Sequence, residues 1–96
     1  MIFVITCVDK AGGAELRQQN RPDHLDYLRG ADAAGTLYTA GPTITDDGSA
    51  VTGSVIMVDV ADRQTAEDFA ANDPYAKAGV FESVTVTAWK KVFPED

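Results

Sequence analysis

The first eight residues, Met-Ile-Phe-Val-Ile-Thr-Cys-Val, are apolar at nearly every position, and this run constrains the fold more than any other feature. It predicts a strand buried on both faces, ended by Asp9. A strand of that kind needs cover from two sides, and a chain of 96 residues has room for only one domain, expected over 1–96. So short a chain buries only about 60 to 65% of its unfolded surface and gains from a staple, a metal or a partner subunit. Cys7 is the single cysteine, which excludes an internal disulfide, and with one histidine no closed Cys/His zinc site can form. The carboxylates lack calcium-loop spacing. A partner subunit is the remaining supplement.

The rest of the chain predicts β-α-β-β-α-β. Residues 13 to 20 hold helix formers, Pro22 is expected to break or restart that helix, and Leu25, Leu28, Ala31 and Ala34 then recur at steps of three, with Gly35 as a C-terminal cap. A short strand over 36 to 40 ends at Gly41-Pro42, and 45 to 49 reads as the loop of a long hairpin returning through 53 to 60. Asp62 caps a helix over about 63 to 72, stopped by Asn72-Asp73-Pro74, with Asp73 held extended before the proline. Residues 80 to 92 alternate as the last strand, Val84, Val86 and Ala88 against Thr85, Thr87 and Trp89. The order is that of a ferredoxin-like α+β fold: a four-stranded antiparallel sheet with both helices on one face. The uncovered face keeps Val55 and Met57, which predicts a homodimer joined sheet to sheet.

The net charge of −7 disfavours nucleic acid and anionic membranes as partners. No basic n-region with a longer apolar stretch opens the chain and no apolar run approaches a bilayer span, so a cytoplasmic location is expected.

Several phrases resemble the YciI-like (YCII-related) family: Arg21-Pro22-Asp23-His24-Leu25-Asp26-Tyr27-Leu28, Ala40-Gly41-Pro42, Gly53-Ser54, the run from Asn72-Asp73-Pro74-Tyr75 to Val80, and Trp89-Lys90-Lys91-Val92-Phe93. Together they span nearly the whole chain. The resemblance implies a dimeric ferredoxin-like protein whose pocket contains the histidine of the R-x-x-H phrase and the aspartate of the D-P-[YF] phrase, here His24 and Asp73. One branch of the family resembles enzymes that eliminate chloride from chlorinated hydroxyquinols, and the wider group includes lactone isomerases and small monooxygenases.

His24 is the chain's only histidine, the residue type best suited to exchange a proton at neutral pH, but on residue type alone the reading as a surface histidine in the first helical turn after Pro22 outweighs it. Asp73 can orient an imidazole or simply form an Asx turn around Pro74. Ser54, Gly41 and Pro42 are expected to line one rim of the cleft, where small residues leave room for a ligand, though ordinary turn chemistry explains them too. Arg17 and Arg21 can fork onto a carboxylate or phenolate, or pair with Asp23 and Asp26. Tyr75 and Tyr27 can cap an aromatic ligand or merely pack. Cys7 reads as inert within its strand. The absence of a Gly-rich phosphate loop or dinucleotide fingerprint points to chemistry without a nicotinamide, flavin or ATP cofactor. Two functions fit: a cofactor-independent enzyme using a His24–Asp73 pair for elimination, isomerisation or lactone-type chemistry on a small molecule, or a non-catalytic metabolite-binding or accessory dimerisation module.

Overall fold

The structure, a computed structural model, describes residues 1–95; Asp96, the last residue of the expected domain, lies outside them. Strand β1 (Ile2–Asp9) leads into helix α1 (Ala14–Ala33), strands β2 (Leu37–Ile44) and β3 (Val51–Asp59), helices α2 (Arg63–Ala71) and α3 (Pro74–Lys77), and strand β4 (Phe81–Trp89). The sheet order is β2-β3-β1-β4 with every pairing antiparallel, the ferredoxin-like arrangement. The one addition to the expected order is α3, a single turn within what reads in the sequence as a connector.

The first correction concerns β1. Its burial alternates: Phe3, Ile5 and Cys7 are buried toward the helices, Ile2 and Val4 are half-buried, and Thr6 and Val8 are exposed. Within this chain the strand is covered on one face only. The inner residues join Ile56 and Val58 of β3 and Ala66 and Ala70 of α2 in one core, with Leu28 of α1 and Phe69 of α2 packed against it. Gly53 is required where β3 passes β1, because a Cβ there would run into the carbonyl of Cys7.

The second correction concerns proline. Helix α1 runs unbroken through Pro22. Pro22 removes the donor that would bond the Gln18 carbonyl, but both residues are exposed, so water can serve that carbonyl. His24 accordingly lies in mid-helix, not in a first turn. Strand β2 likewise continues through Gly41-Pro42 to Ile44. It is an edge strand, where a residue without an N–H is tolerated on the unpaired side.

The remaining boundaries follow local chemistry. Gly35, at φ +79°, closes α1: its N–H donates to the Asp32 carbonyl at 3.1 Å and that of Thr36 to the Ala31 carbonyl at 2.9 Å, a Schellman ending. Asp62 caps α2, accepting the Thr65 N–H at 2.9 Å. Strand β4 stops at Trp89, short of the expected 92. Among the described residues no helix is long and apolar enough to cross a membrane.

Candidate functional site

A continuous α1 places Ala14, Arg17, Arg21, His24, Leu25 and Leu28 along one helical stripe, and that stripe forms one wall of a cavity of about 570 Å³. Ala40, Gly41 and Pro42 of β2 and Ser54 and Ile56 of β3 form the facing wall, with Tyr75 of α3 also lining it. The volume suits a small organic molecule. Gln18, Ser49, Ala50 and Val51 complete the lining. A second groove of about 490 Å³ lies between α2 and β4, but the buried polar residues His24 and Ser54 line only the first.

Asp73 links the helix ends to that wall. It caps α3 in an extended conformation, φ −60° and ψ 128°, and its Oδ1 accepts the Tyr75 N–H at 2.9 Å. The same oxygen lies 2.8 Å from His24 Nδ1, across 49 positions of sequence. An ionised carboxylate only accepts, so an ionised Asp73 pairs with a proton on Nδ1, and Nε2 is then the other ring nitrogen. Asp73 is 1% exposed, and its Oδ2 is a buried oxygen without a hydrogen-bond partner among the described residues. The Asx turn and the imidazole contact, alternatives on sequence grounds, coexist at one oxygen.

The His24 ring stacks on Tyr75, centroids 3.8 Å apart and planes 12° from parallel. The Arg17 guanidinium lies 4.6 Å from the centroid of the same Tyr75 ring. Arg17 is held by a two-pronged bridge to Asp9, Nε to Oδ2 at 2.9 Å and Nη2 to Oδ1 at 2.8 Å, and Nη2 also donates to Ser54 Oγ at 3.0 Å. Imidazole and guanidinium are thus each packed on Tyr75 and each tied to its own aspartate. Burial, partly opposed by the Arg17 charge, raises the Tyr75 phenol above its ordinary range. Cys7, on the inner face of β1, has its thiol pushed up to about 12, first by burial and then by the charge of Asp73.

The structure therefore brings His24, Ser54, Arg21, Gly41, Pro42 and Tyr75 to one cavity, with Asp73 behind the imidazole. It does not bring Tyr27 there: its hydroxyl donates to the Phe69 carbonyl at 2.8 Å and its ring packs on Phe69. Arg17 pairs with Asp9, and Asp26 pairs with Arg29 instead of an arginine of the stripe. Asp9, read from sequence only as a strand end, was missed. The spacing of Arg17, Arg21, His24 and Leu28, which reads as one stripe once the helix is continuous through Pro22, places Arg17 on the cavity wall, but no local pattern points from it to Asp9. Among the described residues no group of three or more His, Cys, Asp or Glu side chains is placed to hold a metal ion.

The YCII-related domain matches residues 1–90. Protein YciI of Escherichia coli O6:H1 is 41% identical over 98 residues, covering 97% of this chain and all of that protein. A Haemophilus influenzae protein is 39% identical over 98 residues with the same coverage. Among solved structures, the 5-chloro-2-hydroxyhydroquinone dehydrochlorinase TftG from Burkholderia phenoliruptrix AC1100, in complex with 2,5-dihydroxybenzoquinone, superposes with a TM-score of 0.86 at 31% identity over the full length of both chains.

Proposed function

Because this chain belongs to the YCII-related domain family, whose members include the TftG dehydrochlorinase, we propose that it is a cofactor-independent enzyme in which His24 moves a proton on a small molecule held in the α1–β2–β3 cavity. The observation that carries this reading is the 2.8 Å contact between Asp73 and His24 Nδ1, which fixes the tautomer and leaves Nε2 for the substrate. Nε2 accepts a proton from a substrate O–H or C–H, and the imidazolium formed is stabilised by Asp73. The electron pair left on the substrate expels a leaving group from a neighbouring atom in elimination, or is reprotonated elsewhere by His24 in isomerisation or lactone-type chemistry. Ser54, Arg21, Gly41, Pro42 and Tyr75 are the substrate-binding walls.

The test uses the neighbour's substrate class. Wild-type protein is incubated with 5-chloro-2-hydroxyhydroquinone and with small unsaturated lactones, and chloride release and product absorbance are followed. Turnover by wild type that falls about 10² to 10⁴-fold in His24→Gln supports the proposal. An equal rate in the variant overturns it, and saturable binding without product assigns the cavity to a binding module.

We also propose that the protein works as a homodimer joined through the outer face of its sheet. There Val4, Val55 and Met57 are half-buried in a single chain, and Tyr38 and the exposed Trp89 sit with ring centroids 6.3 Å apart. Burying this face in a second copy would give β1 the two-sided cover that its apolar composition asks for. Analytical ultracentrifugation at micromolar concentration should give twice the chain mass, and Val55→Lys should give the monomer; a wild-type monomer excludes the dimer.

A further inference from the structure

Arg17 and Asp9 form, with the wall residue Ser54, a polar group that takes no part in the proton transfer proposed at His24. Among the described residues, the charged side chains lining the cavity are Arg17 and Arg21, joined by the ionisable His24, and no carboxylate lines it. The two buried aspartates of the region stand behind these groups, Asp73 at Nδ1 of His24 and Asp9 at the guanidinium.

The hydrogen-bond inventory narrows the ligand further. The bridge to Asp9 uses Nε and Nη2 of Arg17, and the contact with Ser54 again uses Nη2; the two N–H groups of Nη1 are not spent on either, and the Tyr75 hydroxyl, which also interacts with the guanidinium, is the acceptor a ligand oxygen would compete with or join. Ser54 Oγ accepts from Arg17 at 3.0 Å, and its own proton is given to no acceptor among the described residues. Ser54 is 3% exposed and lines the cavity. Guanidinium and hydroxyl thus offer donors, and a donor meets an ionised oxygen with roughly twice the strength with which it meets a neutral one. Asp9 cancels most of the Arg17 charge, so directed donors, rather than net charge, carry the selectivity. Arg21 lines the same cavity but is exposed and held by no ion pair or hydrogen bond among the described residues, so it is not fixed in advance. The lining around these donors is apolar at Leu25, Leu28, Pro42, Val51 and Ile56.

We infer that Arg17 and Ser54 form an anchor for an ionised oxygen on an otherwise apolar ligand, a phenolate, enolate or carboxylate, and that Asp9 is the positioning residue that holds the anchor in place. This rests on the reading of the cavity as a small-molecule site. Asp9 touches no ligand; it fixes the guanidinium plane from behind, and the stacking of Arg17 on Tyr75 fixes it from the side.

The test is binding selectivity, read by calorimetry at neutral pH with two ring ligands of similar shape: 2,5-dihydroxybenzoquinone, which is ionised, and hydroquinone, which is not. Wild type should bind the anion at least about tenfold more tightly, the scale of one charge-assisted hydrogen bond. Asp9→Asn should weaken the anion about tenfold and leave hydroquinone within about twofold, with Asp9→Glu recovering part of the loss. Ser54→Ala, which removes one buried oxygen and keeps the ion pair, should narrow the preference several-fold and stands in for Asp9→Asn if that variant fails to fold. Equal binding of both ligands by wild type, equal weakening of both in Asp9→Asn, or an unchanged preference in Ser54→Ala each overturns the anchor. An intact preference without turnover of any substrate leaves the anchor standing and removes the acid-base reading instead.

Discussion

Two arginines of helix α1 each pair with an aspartate at nearly the same distance, Arg17 with Asp9 of β1 at 2.8 Å and Arg29 with Asp26 of its own helix at 3.0 Å. Their surroundings differ completely. The side chains of the first pair are 11% and 8% exposed, and those of the second 71% and 75%. The exposed pair is local, three residues apart on one helix, and worth at most a few tenths of a kcal/mol. The buried pair ties the helix to the end of β1, and both charges have lost most of their water, so each depends on the other. Distance does not separate a structural or functional ion pair from a surface one; solvent does.

The strongest way to break the comparison is to remove one buried charge. Asp9→Ala leaves a guanidinium without its counter-ion and should cost about 3 to 5 kcal/mol, read from the midpoint of urea unfolding at unchanged m-value. The double variant Asp9→Leu with Arg17→Met should cost less than the single one, because no unpaired charge remains. A single-variant loss below about 1 kcal/mol would place this pair in the class of the exposed one.

Asp73→Ala is expected next in size. It strips the acceptor from two donors at once, the His24 Nδ1–H and the Tyr75 N–H, at about 1 to 3 kcal/mol for each group left buried and unsatisfied. It should also release the His24 tautomer, visible as a change in the ring nitrogen shifts by NMR. Wild-type shifts that report a proton on Nε2 instead of Nδ1 would remove Asp73 from the site.

A smaller effect comes from Cys7. Its thiol is pushed from 9.0 up to about 12, so the folded state holds a proton that the unfolded chain releases first. A raised folded value contributes stability that is complete below about pH 9 and is lost as the pH climbs toward 12. The phenols of half-buried Tyr27 and buried Tyr75, also raised from 10.0 by burial, add the same sign at higher pH. Cys7→Ala should therefore flatten the stability profile between about pH 9 and 12, and a profile identical to wild type there would show that the thiol is hydrated.

The sequence was legible wherever local chemistry decides. The Asp62 cap, the Gly35 ending and the alternation of Val84, Val86 and Ala88 each act within a few residues, and the order of elements follows from them. Both boundary errors at proline share one cause. Pro22 and Pro42 each remove a donor, and each does so on an exposed flank or a sheet edge where no protein acceptor needs it. Placing a break at Pro22 split one stripe of α1 into two, so that Arg17 and Arg21 were read as flanking His24 in sequence without the continuous helix face that sets all three on one wall. The contacts that complete the site, Arg17 to Ser54 across 37 positions and His24 to Asp73 across 49, are set by packing, which no local pattern encodes. For His24 and Asp73 the family phrases supplied what spacing did not. For Asp9 and Arg17, no phrase did.

The smallest prediction closes the comparison from its other side. Arg29 donates to Asp26 with both groups in water, so breaking the pair restores two hydrated side chains and leaves nothing unsatisfied. Asp26→Ala also replaces a weak helix former with the best one, by up to about 0.7 kcal/mol in the opposite direction. The two terms nearly cancel, and the variant should fall within about 0.5 kcal/mol of wild type, with any residual effect of the ion pair vanishing in 1 M salt. A loss above about 1 kcal/mol that survives salt would mean that Asp26 faces a second surface, such as another copy of the chain, and that exposure in one chain does not describe its setting in solution.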